Sequence, residues 1–306
     1  MKTEVNVSES NRIRQNSMQA WLLAIRPRTL AAGSVPVLTA SALAFHDGAF
    51  LWRPALLCLL FALLAQIASN LANDYFDFRH ASDNSDMRLG PARAVASGWI
   101  SPQVMLRAVV AVVALAALFG LGLVFYGGWQ MIIVGFVCII ALLAYSSGPF
   151  PLSRNGLGDL FVLVFFGWVA TMFTYYVQTG LFTMNSFVAG TAIGLGAVNI
   201  LILNNYRDYP TDLSEGKRTT VVLFGLPFGR IAYLSLGAVA TILGIWLLRD
   251  AHALALLPLT YLPLHVITWR GMCRTQGATL NRFLGLTSRN LLLLGVLISS
   301  GLIASA

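Results

Sequence analysis

Apolar runs of roughly 20 residues recur along almost the whole chain, and short polar segments separate them. A helix of this length crosses a hydrocarbon core about 30 Å thick. The pattern therefore predicts an all-α, polytopic membrane protein with about nine transmembrane helices. The nine predicted spans lie near residues 29–45, 54–74, 104–125, 130–145, 157–177, 187–206, 231–248, 253–269 and 283–304.

Composition supports the membrane interpretation. Of 306 residues, 57% are hydrophobic and only 10% are charged, whereas about a quarter of the residues of a soluble domain are charged. No Pro-rich or Ser/Gly-rich linker divides the chain. We expect a polar amino-terminal arm at residues 1–17 and one transmembrane domain at residues 18–306.

The placement of basic residues predicts an orientation. With the amino terminus inside, 18 of the 20 Lys and Arg residues fall on one side, and only Arg53 and Arg249 fall opposite. The positive-inside rule places the basic side in the cytoplasm. The net charge of +8 is spread over span ends rather than gathered in one tract, which argues against nucleic-acid binding.

Two polar motifs interrupt this pattern at the ends of the second and sixth spans. Asn70-Leu-Ala-Asn-Asp74 and Asn204-Asn-Tyr-Arg-Asp208 share their Asn and Asp at an offset of 134 residues. Each motif is followed by further acids and then by Gly with basic residues. This arrangement indicates a duplicated half, as many membrane folds carry. Two long polar loops, residues 77–102 and 208–230, are predicted after these motifs.

The spacing within each motif suggests a cation site. Asn70 and Asp74 are four residues apart, and Asp212 continues the same spacing after Asn204 and Asp208, so each set projects from one helix face. Acids near the membrane require a partner or an aqueous cavity. Carboxylate and amide oxygens suit Mg²⁺, which is often held together with substrate phosphate oxygens. Two matched motifs facing a central cavity are therefore expected to bind magnesium.

Basic residues beside the acids favour a phosphate ligand, because Arg and Lys bind phosphate oxygens. The alternative is that these charges are solvated and pair with one another. Aromatic residues in and beside the fifth span are interpreted as core packing rather than as the lining of a lipid channel; they are Phe150, Phe165, Phe166, Phe173, Tyr175 and Tyr176. The phosphate candidates are Arg88, Arg93, Arg207, Lys217 and Arg218.

The two motifs resemble those of the UbiA superfamily of intramembrane prenyltransferases, most closely its 1,4-dihydroxy-2-naphthoate branch of menaquinone synthesis. The residues that carry the likeness run from Asn70 to Asp77 and from Asn204 to Asp212, with Gly216-Lys-Arg-Thr219 after the second motif. It extends to Arg26-Pro-Arg-Thr-Leu30 and Thr279-Leu-Asn281, so it covers nearly the whole chain. Several superfamily members carry an acid four residues after the position of Asp74, where this chain has Phe78 and its nearest acid is Asp77.

The resemblance implies a reaction and a set of roles. A polyprenyl group would pass from its diphosphate to 1,4-dihydroxy-2-naphthoate, with loss of pyrophosphate and CO₂, in a bacterial cytoplasmic membrane whose lipid surrounds the protein. Mg²⁺ would bridge the diphosphate to Asp74, Asp208 and Asp212, the predicted catalytic residues, with Asp77 as a further metal ligand. Asn70, Asn204 and the five basic candidates would bind the diphosphate or the acceptor carboxylate.

Two other functions stay open at this point. One is the same chemistry with another acceptor, such as 4-hydroxybenzoate, homogentisate or a chlorophyll precursor. The other is cation-coupled transport, since internal repeats and intramembrane acids also occur in transporters. The acids lie at span ends beside basic clusters rather than near the bilayer centre, which favours the enzyme.

Overall fold

The computed structural model describes residues 13–79, 89–148 and 150–306, and these are all-α. Within those ranges, eight helical segments are long and apolar enough to cross a membrane. A ninth, Gln130–Ser146, is apolar but has only 17 residues. The predicted architecture is thus confirmed, and the chain is an integral membrane protein. Most of the predicted arm, residues 1–12, lies outside the described residues.

Ten helices are numbered here in chain order. The sixth is α-helical at its two ends and forms a π-helix at Leu163–Val169. The bounds are α1 Met18–Ile25, α2 Leu30–His46, α3 Trp52–Arg79, α4 Pro102–Gly122, α5 Gln130–Ser146, α6 Gly158–Thr179, α7 Met184–Ser214, α8 Thr220–Leu247, α9 Tyr261–Arg274 and α10 Asn281–Ala304. Short 3-10 turns occur at Pro27–Thr29, Leu152–Arg154, His252–Thr260 and Gly277–Leu280, and one further α turn at Val124–Gly127.

Hydroxyl side chains begin several of these helices, as expected where the first backbone amides lack intrahelical acceptors. Thr183 and Ser186 form a reciprocal capping box at the start of α7. Thr219 accepts a hydrogen bond from the Val222 amide and so starts α8 eleven residues before the predicted span, with a kink at Gly225, where φ is 84°. The prediction of a long loop at residues 208–230 was therefore wrong. Its polar composition belongs mostly to helix ends, and only residues 215–219 connect α7 to α8.

The central helix is α7. Its 31 residues span about 46 Å at about 1.5 Å per residue, more than the hydrocarbon core requires. It packs against α2, α6, α8 and α10. Helix α3 has 28 residues, and its carboxyl-terminal end also extends beyond an ordinary span. The two polar motifs therefore lie on helix ends that continue past the apolar core.

The packing between α6 and α7 depends on small residues. A Cβ atom added to Gly194 would lie 2.8 Å from the Gly167 Cα, and one added to Gly190 would lie 3.0 Å from the Gly167 carbonyl oxygen. Only glycine permits so close a backbone approach, which is a common means of helix association in membranes. The outer faces of α4, α5 and α8 instead present large apolar side chains such as Leu118, Phe136 and Ile242, each more than 60% exposed. These faces suit contact with lipid.

Candidate active site

A polar pocket lies where the ends of α3 and α7 meet the α5–α6 connection and the start of α8. It brings together three carboxylates that the sequence indicated, Asp77, Asp208 and Asp212. Asn204, Arg93, Arg207 and Lys217, also predicted, share the lining. Polar residues that were not among the predicted site residues also line the pocket; they include Arg26, Asn73, Tyr145, Ser146, Arg154, Asp159, Asn205 and Thr220.

On α3, the residues that face this pocket are Asn73 and Asp77, four apart on one helical face. Asp77 forms an ion pair with Arg93. The Asn73 side-chain oxygen is buried and has no hydrogen-bond partner among the described residues. Asn73 and Asp77 recur in α7 as Asn204 and Asp208, at an offset of 131 residues. This second offset, rather than 134, relates the residues that share the pocket.

The other predicted pair on α3, Asn70 and Asp74, lies outside the pocket lining. Asp74 is 1% exposed, and its two carboxylate oxygens accept hydrogen bonds from the Ala94 and Val95 amides, each at 2.9 Å. Backbone amides therefore hold this carboxylate at a place that does not line the polar pocket. In this structure Asp74 instead fixes the backbone that follows Arg93.

Asn70 holds the segment before α2. Its amide nitrogen donates to the Ile25 carbonyl oxygen at 2.8 Å and to the Thr29 hydroxyl at 2.9 Å. Between these contacts, Arg26 adopts a left-handed backbone conformation, with φ 55°, which is unusual for a residue other than glycine. Arg26 lines the polar pocket. The amide of Asn70 thus acts on the pocket through the backbone that carries Arg26.

On α7, Arg207 ties the motif to its surroundings. Its Nε and one terminal nitrogen contact both oxygens of Asp208, at 2.8 and 2.5 Å. The other terminal nitrogen donates to the Asn281 side-chain oxygen at 2.7 Å, and the Asn281 amide donates to the Leu89 carbonyl oxygen at 2.9 Å. The guanidinium therefore joins α7 to the start of α10 and to residue 89.

Asp212, one turn further along α7, pairs with Lys217 in the α7–α8 connection. The Lys217 Nζ lies 2.8 Å from an Asp212 carboxylate oxygen and 3.1 Å from a Glu215 oxygen. Burial opposes the charged ammonium, but the attraction of Asp212 and Glu215 outweighs it and raises the pKa of Lys217 above its ordinary value. Lys217 is consequently a cation at neutral pH.

The remaining predicted residues are placed differently. Arg88 lies in 80–88, outside the described residues. The Arg218 side chain is absent from the pocket lining, although its backbone amide donates to the Arg154 carbonyl oxygen at 2.8 Å and docks the α7–α8 connection.

An apolar cavity adjoins the polar pocket. The Phe161 ring, which lines the apolar cavity, packs on Tyr145 of the polar pocket at 5.1 Å and on Phe165 at 4.5 Å between centroids. Phe165, Phe166 and Phe173 line this cavity. Phe166 and Phe173 also pack against buried core residues, as predicted, so these two side chains take part in both the core and the cavity wall. They face an apolar space between α2, α3, α5 and α6.

The polar pocket offers hard oxygen donors in a form that suits a metal bound with its substrate. Among the described residues, no three acid, His or Cys side chains are close enough to chelate an ion by themselves. The carboxylates of Asp77, Asp208 and Asp212 and the unpartnered Asn73 oxygen are nevertheless of the type that Mg²⁺ prefers. A phosphate group would supply the other ligands.

The fold of the chain is similar to that of solved UbiA homologues. It is similar to the structure of a UbiA homologue from Archaeoglobus fulgidus bound to GPP and Mg²⁺, with a TM-score of 0.61 and 19% identity over 92% of this chain and 99% of that one.

Sequence comparisons identify the family. The chain is 41% identical to the 1,4-dihydroxy-2-naphthoate octaprenyltransferase of Escherichia coli K12, over 68% of this chain and 69% of that protein. It is 37% identical to the enzyme of the same name from Mycobacterium tuberculosis H37Rv, over 74% and 77%. The pattern that defines the UbiA prenyltransferase family matches residues 34–294, and the chain belongs to that family.

Proposed function

We propose that this protein transfers a polyprenyl group from its diphosphate to 1,4-dihydroxy-2-naphthoate, with loss of pyrophosphate and CO₂. The observation that carries the proposal is the polar pocket itself, in which carboxylates of α3 and α7 lie among Arg and Lys beside an apolar cavity. The names of the bacterial relatives support this acceptor. We assign the reaction to residues 18–306 as one domain.

Asn73, Asp77, Asn204, Asp208 and Asp212 would hold magnesium at the diphosphate. When bound, Mg²⁺ supplies positive charge that stabilises the departing pyrophosphate. Of the predicted metal ligands, this set keeps Asp77, Asp208 and Asp212 and leaves out Asp74, whose carboxylate is held by backbone amides. Asn73 takes the place of Asn70, which makes its hydrogen bonds to Ile25 and Thr29.

Each acid of this set that lines the pocket is paired with a base: Asp77 with Arg93, Asp208 with Arg207 and Asp212 with Lys217. Binding of a metal–diphosphate would exchange these partners. The acids would turn to the metal, and Arg93 and Lys217 would turn to the phosphate oxygens, so that no charge is left uncompensated. Arg207 keeps its Asn281 contact and would act from a fixed position.

The prenyl chain would lie in the apolar cavity, with its reacting carbon at the boundary between the two cavities. Tyr145 and Phe161 meet there, and the electron-rich faces of aromatic rings attract cations. These rings would therefore stabilise positive charge on the allylic carbon as its bond to oxygen breaks. Exclusion of water by the apolar walls would protect that carbon from hydrolysis.

The charge distribution supports an orientation with the pocket and the amino terminus on the cytoplasmic side of a bacterial inner membrane. Both substrates carry anionic groups, which basic residues on that side would attract.

The deciding experiment is turnover of 1,4-dihydroxy-2-naphthoate and a radiolabelled polyprenyl diphosphate by the purified protein, with Mg²⁺ and with EDTA. We expect a prenylated naphthoquinone and an equal amount of CO₂ only when Mg²⁺ is present. Product formed with another phenolic acid alone would replace the acceptor and keep the site. Cation uptake by sealed proteoliposomes without pyrophosphate release would instead support transport.

A further inference from the structure

Asp159 is an acid of the polar pocket that differs from the other three. It is the second residue of α6 and lines the pocket beside Tyr145 and Ser146. A Cβ added to the neighbouring Gly158 would lie 3.7 Å from the Tyr145 hydroxyl oxygen. The Tyr145 hydroxyl therefore lies close to the start of α6.

Only one of the two carboxylate oxygens of Asp159 accepts a hydrogen bond in the described part of the chain. Its Oδ2 accepts a hydrogen bond from the Thr220 hydroxyl, whereas its Oδ1 is buried and has no partner among the described residues. No Lys or Arg of the described ranges forms an ion pair with Asp159, although Asp77, Asp208 and Asp212 each have one. A buried carboxylate oxygen without a donor is costly, so a ligand or a water is expected to supply the donor.

The surroundings restrict which ligand that is. A diphosphate carries acceptors and negative charge and would be repelled by a carboxylate that no cation compensates. A ring hydroxyl is a neutral donor. The Tyr145 hydroxyl makes no hydrogen bond to other described residues, and Phe161 packs on the Tyr145 ring. These features provide an aromatic wall beside one unused acceptor.

We propose that Asp159 accepts a hydrogen bond from a ring hydroxyl of the aromatic acceptor, through the oxygen that Thr220 leaves unoccupied, and thereby orients the ring toward the prenyl carbon. This inference rests on the proposed function. Asp159 is assigned to the acceptor, and the acids of α3 and α7 to the diphosphate.

The bond would also assist the chemistry. As the new C–C bond forms, electrons flow from the hydroxyl oxygen into the ring, and the allylic C–O bond breaks with its pair leaving on pyrophosphate. When CO₂ leaves, the electron pair of the bond between the ring carbon and the carboxylate carbon returns to the ring. The reaction therefore neither consumes nor releases a proton. A carboxylate that accepts the hydroxyl hydrogen bond favours this electron release.

The test compares Asp159→Asn, Asp159→Glu and Thr220→Val with Asp250→Asn. The last is the same chemical change at an exposed acid whose one ion pair within the described ranges is with Arg249, at 3.5 Å. For each folded variant, the KM for the acceptor, the KM for the polyprenyl diphosphate and the Mg²⁺ concentration for half-maximal rate are measured. Calorimetric titration with 1,4-dihydroxy-2-naphthoate gives its Kd directly.

We expect Asp159→Asn to raise the KM and Kd for the acceptor about 10- to 100-fold, the range for a hydrogen bond to a charged group. The diphosphate KM and the Mg²⁺ requirement should change less than about twofold. Asp159→Glu should recover part of the loss, because it restores a carboxylate. Thr220→Val should show a smaller loss of the same kind, since it frees the oxygen that the hydroxyl holds.

Analogues of the acceptor that lack one hydroxyl identify which hydroxyl contacts Asp159. Replacing the contacted hydroxyl by hydrogen should weaken binding to the native protein, yet cause no further loss in Asp159→Asn. An unchanged acceptor Kd in Asp159→Asn, or a raised Mg²⁺ requirement in its place, would overturn the inference. Turnover by the native protein would still support the proposed function in that case. Failure of the native protein to turn over any hydroxylated aromatic acid would overturn both.

Discussion

At the end of α3, both oxygens of Asp74 accept hydrogen bonds from backbone amides, whereas at the end of α7, Asp208 and Asp212 line the pocket and pair with side-chain cations. The two helices carry the same Asn and Asp spacing. The difference arises because residues 94 and 95 turn back onto α3 and present two amides to Asp74. The spacing of the residues predicts which face of the helix they share. Whether that face lines the pocket or binds backbone amides depends on the neighbouring backbone.

The largest effect is expected where the acids line the pocket. Asp208→Asn removes a charge with little change of volume and should lower kcat/KM about 1000-fold, as when a group that stabilises transition-state charge is lost. Asp77→Asn should behave alike, because Asp77 is its counterpart on α3. Radiolabelled product formation measures both, with Asp250→Asn as the matched control. Near-native turnover in folded Asp208→Asn would remove this acid from the site.

Asp74→Asn should act on stability instead. The asparagine amide nitrogen would face a backbone donor where the carboxylate now accepts, which we expect to cost about 2–4 kcal/mol in the free energy of unfolding. Thermal unfolding in detergent measures this. Activity should fall with the folded fraction, and the Mg²⁺ concentration for half-maximal rate should be unchanged. A higher Mg²⁺ requirement at native stability would make Asp74 a metal ligand, as the sequence spacing predicted.

Asn70 and Asn73 allow the same comparison to be made with two residues of one type on one helix. Asn70→Ala should lower the free energy of unfolding by about 1–3 kcal/mol, because it removes buried hydrogen bonds to Ile25 and Thr29. Asn73→Ala should leave stability within about 0.5 kcal/mol and lower kcat/KM about 10-fold. Each variant is the control for the other. The opposite outcome would return the metal site to the face that carries Asn70.

The smallest effect is expected at Lys217, a charge at the rim of the pocket. Lys217→Met should raise the KM for the polyprenyl diphosphate about 10-fold, whereas Lys217→Arg should change it less than about threefold. Because the pKa of Lys217 is raised, the side chain loses its proton only at a pH above the ordinary pKa of a lysine. The native KM should therefore show no titration of this group between about pH 6 and 9. Equal losses in both variants would indicate that position, not charge, matters.

The sequence predicted the helical architecture and the α7 side of the pocket because both depend on local patterns. Apolar run length indicates a span, and a helical face follows from spacing of four. The α3 side depends on tertiary contacts, since the amides of Ala94 and Val95 lie 20 and 21 residues from Asp74 in the sequence. The 131-residue offset of Asn73 and Asp77 was visible in the sequence, but choosing it over 134 required the neighbouring backbone.

The polar pocket also contains residues outside the two Asn/Asp motifs. Tyr145 and Asp159 come from different helices and meet across Gly158. Local spacing carries no signal for such a meeting. The cavity-lining role of Phe165 and Phe173 was missed for a similar reason: an aromatic residue in an apolar helix faces either a packed core or a space, and only the surrounding helices distinguish the two.

The central position of α7 has a consequence for biogenesis. The chain is made from its amino terminus, so α7 enters the membrane before α8 and α10, its later neighbours, have been synthesised. Until they arrive, Tyr206, which is 5% exposed in the finished protein and packs in one cluster with Val221 and Tyr233 of α8, lacks that cover. A chain that stopped at residue 214 would leave this face of α7 uncovered permanently, and membrane quality-control proteases would be expected to remove it.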